Sequence, residues 1–308
     1  MEYRIYRYHF PTAVHFGEGT ADSTECTFQA DTFFSAMCQE AVGAGGNALQ
    51  EFLDAARSGQ FLVSDAFPYM RDEYYVPKPY VYIENRKDPG NSIVKKAYKN
   101  LKYVPLSLFD AYVQGDFPID RTADLDFLGR KDTRTSAAVR GLSETVPYRV
   151  ASYRFSEGCG LWQAVLFRDG DIRARFEALL ASLSASGIGG RRSSGCGRFS
   201  FTGEEMPRML RKRLEEDYRE YMTLSVSLPG KDELQAAMEG SSTSVVKRSG
   251  FVASDTYADT FRKKRDLYVF SAGSCFLTRF RGGIYDVSDG GNHPVYRYAM
   301  AMMMGVRK

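Results

Sequence analysis

The chain has 308 residues, 44% hydrophobic and 14% aromatic, enough apolar surface for one large or two smaller cores; this excludes an intrinsically disordered protein. With 41 basic and 38 acidic residues the net charge is only +3, which excludes a coat protein that binds nucleic acid through its overall field. Five scattered cysteines without a Cys-x-x-Cys pair, and only three histidines, exclude a zinc module and fit a reducing cytoplasm. No apolar run reaches membrane-spanning length and residues 1–4 carry no secretory apolar region, so no membrane contact and a cytoplasmic location are expected.

Taken in chain order, residues 3–10 are rich in Tyr, Ile and Phe and predict a strand. Asp31 is the expected N-cap of a helix whose apolar face is Phe34, Met37, Cys38 and Ala41, stopped by Gly43, Gly45 and Gly46. A short helix over 48–57 and a strand over 61–63 follow, then a loop over 77–90. Lys95, Lys99 and Lys102 share one helical face, with Val94, Tyr98 and Leu101 on another; the lysines form either a solvated face or an RNA-facing stripe. Residues 129–146 are polar and basic (Arg130, Lys131, Arg134, Arg140) and predict a protruding β-hairpin arm, flanked by strands over 148–155 and 162–167. Asp171 is the expected cap of a helix with Ile172, Phe176, Leu179, Leu180 and Leu183 on one face.

After a glycine-rich loop, a strand is expected over 198–202 and a helix over 207–221, near which the domain boundary falls. Met222, Leu224, Val226 and Leu228 alternate with Thr223, Ser225 and Ser227, the period of a half-buried strand. A helix over 232–238 and strands over 245–252, 267–270, 276–280 and 296–304 complete the chain. Each half opens strand-then-helix and continues with strands. The expected fold is α+β, with two ferredoxin-like (RRM-like) modules, 1–205 and 206–308, the first bearing the glycine-rich loop and the arm.

The glycine-rich loop, GIGGRRSSGCG at 187–197, is the most informative stretch. Five of its eleven residues are glycine, and no Asp or Glu occurs from 178 to 203. Glycine tolerates positive φ, so such a loop can turn successive N–H groups toward anionic oxygens. Arg191 and Arg192 add charge suited to phosphate. A P-loop needs Lys where Cys196 stands, and a dinucleotide fingerprint needs Gly where Arg192 or Ser200 stands. Nucleotide cofactors are thereby excluded and a polymeric phosphate, RNA or DNA, is favoured. On this reading the N–H groups of Gly189, Gly190 and Ser194 hold phosphates, Arg191 and Arg192 neutralise them, Ser193 and Gly195 belong to the same RNA-binding loop, and His15 and Phe16 flank a splayed base. His293, in a Gly-rich turn, is the other histidine that could touch RNA. Cys196 reads as a small apolar filler, and scattered Asp65, Asp72, Asp286 and Asp289 as turn caps, so no metal or cofactor is expected.

Several segments together resemble a known family: PTAVHFGEG at 11–19, SDAFPY at 64–69, PKP at 77–79, LKYVPLS at 101–107, the loop at 187–197, DVS at 286–288 and HPVYRY at 293–298. With the loop and two ferredoxin-like modules they resemble the RAMP superfamily of CRISPR RNA-binding proteins. Within it they resemble the fourth Csm subunit of type III-A effectors, over about residues 3–304. The resemblance implies a noncatalytic subunit that grips the 5′ repeat-derived tag of the guide RNA. It also implies docking to the large polymerase-like signalling subunit and to the repeated backbone subunit, in antiviral defence. By the same likeness the 129–146 arm, with Arg134, Thr135 and Arg140, would interrupt the guide–target duplex near the tag end and touch target RNA. Tyr296 and Arg297 join the RNA-binding set through the last segment. Related ribonucleases of the superfamily use a histidine near the first strand; the alternative is therefore a metal-independent endoribonuclease acting on repeat RNA with His15 as general acid/base.

Overall fold

Strand β1 (Glu2–His9) lies one strand in from an edge of the largest sheet, in a computed structural model that describes residues 1–17, 19–83, 92–138 and 146–307. Helices α1 (Ala30–Ala44) and α2 (Ala48–Arg57) follow, then strands β2 (Phe61–Val63), β3 (Phe67–Met70) and β4 (Glu73–Pro77). After α3 (Ser92–Asn100) come β5 (Tyr103–Pro105), α4 (Phe109–Gln114), and the paired strands β6 (Gly129–Ala138) and β7 (Val146–Phe155). Strand β8 (Cys159–Phe167), α5 (Gly170–Ser186) and β9 (Ser200–Glu205) complete the first sheet, whose antiparallel order is β5-β4-β3-β8-β1-β9. β2 and β3 lie end to end along one edge of β8, opposite β1.

β8 is buried along its whole length because the sheet is covered on both faces. Its period-2 alternation divides two cores. Leu161, Val165 and Phe167 join Tyr6, Tyr8 and the apolar faces of α1 and α5, whereas Trp162, Ala164 and Leu166 join Ile5, Val94, Tyr98 and Phe109. Gln163 is tolerated inside because Tyr8 Oη donates to its Oε1 (2.8 Å) and its Nε2 donates to the Ser64 carbonyl (2.6 Å).

The remainder of the chain comprises α6 (Arg208–Glu215), β10 (Glu220–Thr223), α7 (Leu234–Met238), the pair β11 (Val245–Arg248) and β12 (Leu267–Phe270), β13 (Cys275–Phe276), the pair β14 (Gly282–Asp286) and β15 (Tyr296–Met300), and β16 (Met303–Arg307). β10 lies between β13 and β16. Both main cores take side chains from both sides of residue 206: Val226 and Met300 enter one, Met222, Leu224 and Met304 the other. Asp65 ties the two parts at the backbone, its Oδ1 accepting from Ala30 N (2.8 Å) and Val226 N (3.0 Å).

Several expected elements differ in detail. The cap of α5 is Asp169, which accepts from Ile172 N (3.0 Å); Asp171 sits inside the first turn. Asp31 is likewise inside the first turn of α1, whose cap position is Gln29. β7 is itself the second leg of the pair expected over 129–146, and residues 139–145, with Arg140, lie outside those described. The helix at 207 ends by Glu215. The alternating stretch at 222–228 is buried on both faces: Thr223, Ser225 and Ser227 are inaccessible, and Ser225 Oγ donates to the Met300 carbonyl (2.8 Å). Such hydroxyls suit an interior position because backbone groups satisfy them. β3, β4 and β14 were not anticipated, and the strand expected over 296–304 is broken at Ala301 and Met302.

Candidate nucleic-acid interface

The glycine-rich loop leaves α5 at Gly187 (φ 84°), whose N–H donates to Leu183 O, and buries Ile188 in the core. It returns at Gly197 (φ 78°), where any Cβ would lie 2.0 Å from the Ile188 carbonyl oxygen. The loop is pinned to residues 12–15: Gly190 N donates to His15 O (2.8 Å), Gly197 N to Ala13 O (3.0 Å), and Thr12 Oγ1 to Gly195 O (2.9 Å). Arg191 itself holds φ 60°, a conformation that non-glycine residues adopt rarely. The N–H groups of Gly190 and Ser194, expected to face phosphate, are therefore occupied inside the protein, Ser194 N donating to Arg191 O. Among the described residues, those of Gly189, Arg192 and Ser193 have no acceptor.

His15 stands against this loop. Its Nδ1 is 2.7 Å from the Ala151 carbonyl of β7, and a carbonyl only accepts, so Nδ1 carries the proton and Nε2 is the available acceptor. Phe16 does not flank a base: its ring is buried against Phe10 and Phe28, with centroids 6.1 and 5.2 Å away. The Arg191 guanidinium lies 5.4 Å over the Tyr148 ring of β7, and its hydrogen bond and charge hold the Tyr148 hydroxyl below its ordinary pKa. Arg192 reaches across to α1, donating to Gln39 Oε1 (3.1 Å). Ser193 is exposed, as are Arg134 and Thr135 on β6; Arg134 pairs with Asp132 at 3.4 Å.

The C-terminal residues of the expected set have other duties. His293 accepts from Ser254 Oγ at Nε2 (2.8 Å), donates to its neighbour's carbonyl at Nδ1 (2.9 Å) and packs edge-on to Tyr257, which makes it a loop tie. Tyr296 is half-buried beneath the Arg57 guanidinium (4.5 Å). Arg297 is buried and its charge is committed to Asp31, which Arg248 also grips through two bonds of 2.8 and 2.9 Å. Arg297 is thus a structural ion-pair partner that also lines the smaller cleft described below. Burial raises the Asp31 pKa, and the charges and hydrogen bonds of Arg248 and Arg297 outweigh burial and hold it below the usual carboxylate range.

Between the loop and the C-terminal part runs a trough. A cleft of about 970 Å³ is lined by His15, Gly17, Gly189, Lys102, Lys247, Arg248, Phe251 and Lys263. A smaller one of about 310 Å³ is lined by Gly189, Gly190, Arg192, Arg248, Phe251 and Lys264. A third, about 750 Å³, continues past Arg248 and Lys102 to Lys99 and Lys78. Among the described residues, Arg191, Arg192, Lys263 and Lys264 have no carboxylate within salt-bridge distance. Positive charge left uncompensated in a cleft attracts a polyanion. The wall formed by Lys247, Arg248, Phe251, Lys263 and Lys264 was missed from the sequence, although FRKKR at 261–265 is a basic cluster beside an aromatic. No group of three or more His, Cys, Asp or Glu among the described residues is placed to hold a metal ion, and no described helix is long and apolar enough to cross a membrane.

Gly189 couples loop to His15. At φ 93°, an alanine Cβ would lie 2.6 Å from His15 O and 2.9 Å from the Phe16 ring. Gly189→Ala is expected to cost about 2 kcal/mol in a denaturant titration, from backbone strain and this clash; an unchanged midpoint would show that the loop relaxes freely.

Comparison with known proteins follows the same lines. The fold matches a chain of the Csm3–Csm4 subcomplex of a type III-A CRISPR-Cas interference complex, with a TM-score of 0.67, 13% identity and 99% of both chains covered. It also matches a chain of a Csm1–Csm4 cassette bound to AMPPNP (TM-score 0.62, 19% identity, 99% and 98% covered). The fold is therefore one found in subunits of type III CRISPR effector complexes. A Csm4 protein of Mycobacterium tuberculosis is 38% identical over 314 residues, covering 99% of this chain and 98% of the relative. One from Streptococcus thermophilus is 34% identical, covering 93% of each. The profile of the CRISPR Csm4 C-terminal domain matches residues 216–306. The chain belongs to the Csm4 family of CRISPR Csm-complex subunits.

Proposed function

We infer that this protein is a noncatalytic RNA-binding subunit of a type III-A CRISPR effector in the cytoplasm. It grips the 5′ repeat-derived tag of the guide RNA in the trough between the glycine-rich loop and the 247–264 wall. The observation that carries this reading is the set of cations without a carboxylate partner, Arg192, Lys263 and Lys264, lining one trough beside unoccupied loop N–H groups, with Arg191 next to them on the same loop. We read the chain as two ferredoxin-like modules, 1–205 and 206–308. The sheet path β3-β8-β1-β9, with α1 and α5 as crossovers, supports the first, and β13-β10-β16 supports a reduced second. The β6–β7 pair is the arm, with Arg134 and Thr135 toward target RNA near the tag end. Docking to a large polymerase-like Csm1 subunit and a repeated Csm3 subunit is supported by relatives of the same fold that are seen with each.

Affinity purification from the host is expected to yield guide RNA and both partner subunits. The double variant Arg191→Ala, Arg192→Ala is expected to weaken binding of a short single-stranded RNA roughly 10-fold. It should also lower the salt slope of log affinity by about 1.4, about 0.7 for each phosphate contact on a single strand. Unchanged affinity and slope would overturn the loop assignment. Cleavage of repeat RNA in EDTA, abolished by His15→Ala, would instead establish the endoribonuclease.

A further inference from the structure

We propose that Phe251 and Phe261 form a stacking platform for a nucleobase of the single strand held by the glycine-rich loop; this rests on the RNA-binding reading above. Two phenyl rings here face water: Phe251 is 56% exposed and Phe261 90% exposed. They meet edge to face, with centroids 6.4 Å apart and an interplanar angle of 85°. Their backbone is held in place. Val252 N donates to Arg262 O and Lys264 N to Gly250 O, both at 2.9 Å, which makes Phe251 and Lys263 a directly opposed antiparallel pair. Val252 is buried with Tyr257, Val287 and Val295, so the ribbon is anchored by one face while Phe251 stands on the other.

Chemistry and position select the occupant. The Lys263 ammonium lies 5.7 Å from the centre of the Phe251 ring, so the apolar face is bordered by a cation with no carboxylate within salt-bridge distance. Phe251 lines both clefts that Gly189 lines, whereas Phe261 stands beside them at the outer edge. The carboxylates of the connecting loop, Asp255 and Asp259, line neither cleft. An aromatic face bordered by cations, continuous with a phosphate-holding loop, matches a nucleotide: the base takes the ring and the phosphates take Lys263, Lys264 and Arg192. Stacking on phenyl rings tolerates every base, so the platform would hold the strand without reading its sequence.

The test uses the full chain and a short single-stranded RNA carrying one 2-aminopurine, scanned along its length, with anisotropy and fluorescence as readouts. For the wild type, one position should be quenched on binding. Phe251→Ala with Phe261→Ala should abolish that quench and weaken affinity roughly 10-fold while leaving the salt slope unchanged. Phe251→Trp should retain both quench and affinity. Both positions are exposed, so melting curves should match the wild type. If the double variant binds and quenches like the wild type, the platform is overturned and the loop reading stands. If the wild type binds no RNA, both fall. If RNA binding is intact but a copurifying protein is lost, the rings serve a protein partner and the proposal is overturned.

Discussion

Replacing Asp31 by alanine is expected to remove about 3–5 kcal/mol of stability, enough to unfold a typical domain in part at ambient temperature. One buried carboxylate holds two guanidiniums, those of Arg248 and Arg297, and Arg297 is itself buried. Without it, two cations stay in a poorly solvated site, and that uncompensated charge is the source of the cost. The loss should also reach function, because Arg248 sits where the three clefts of the trough meet. Urea denaturation with RNA titration measures both effects. An Asp31→Ala protein with wild-type stability would show that water reaches the arginines. As the folded-state pKa of Asp31 is depressed, its contribution is present above the unfolded carboxylate pKa and fades as pH falls through the folded value.

Asp65 is expected to give the opposite pH dependence. Burial pushes its carboxyl up to about 7, aided by the charge of Asp31 and opposed by the N–H groups of Ala30 and Val226 and by Arg248. From about pH 4 to about pH 7 the folded chain keeps a proton that the unfolded chain has released, so this residue's contribution falls as pH rises and is flat above. A shift of about three units corresponds to about 4 kcal/mol. Asp65→Asn keeps an oxygen for both N–H donors and cannot ionise. It is expected to match the wild type near pH 4 and to exceed its stability by up to about 4 kcal/mol near pH 8. Parallel denaturation midpoints for the two proteins across that range would show that Asp65 does not titrate in the folded state.

Local periodicity made much of the first sheet legible. Phe34, Met37 and Ala41 on α1, and Phe176, Leu180 and Leu183 on α5, are buried as their spacing predicts, because an amphipathic helix has only one way to hide its stripe. The positions of the tight loop were legible too, since Gly187, Gly189, Gly195 and Gly197 all take positive φ. Asp31 misled, because an acid at a helix start has the signature of a cap. Its partners, Arg248 and Arg297, stand 217 and 266 residues away, and no local pattern announces a pair over that distance. Phe16 was read as a base contact from residue type and Arg297 as an RNA contact from the family likeness; packing turned one into core and the other into an internal counter-ion. The aromatic–basic wall at 251 and 261–264 was overlooked because its residues become neighbours only when the connection over 252–260 folds back on itself.

By itself, the sequence determined the local elements, the glycine turns, the absence of nucleotide-loop spacings and the Csm4 family likeness. Each of these depends on residue type and short-range spacing. Only the tertiary structure decided which loop N–H groups are already bonded, which arginines are neutralised and which aromatics face water. Those outcomes depend on burial and on partners hundreds of residues apart: an ion pair or a desolvated ring exists only once the chain has packed around it.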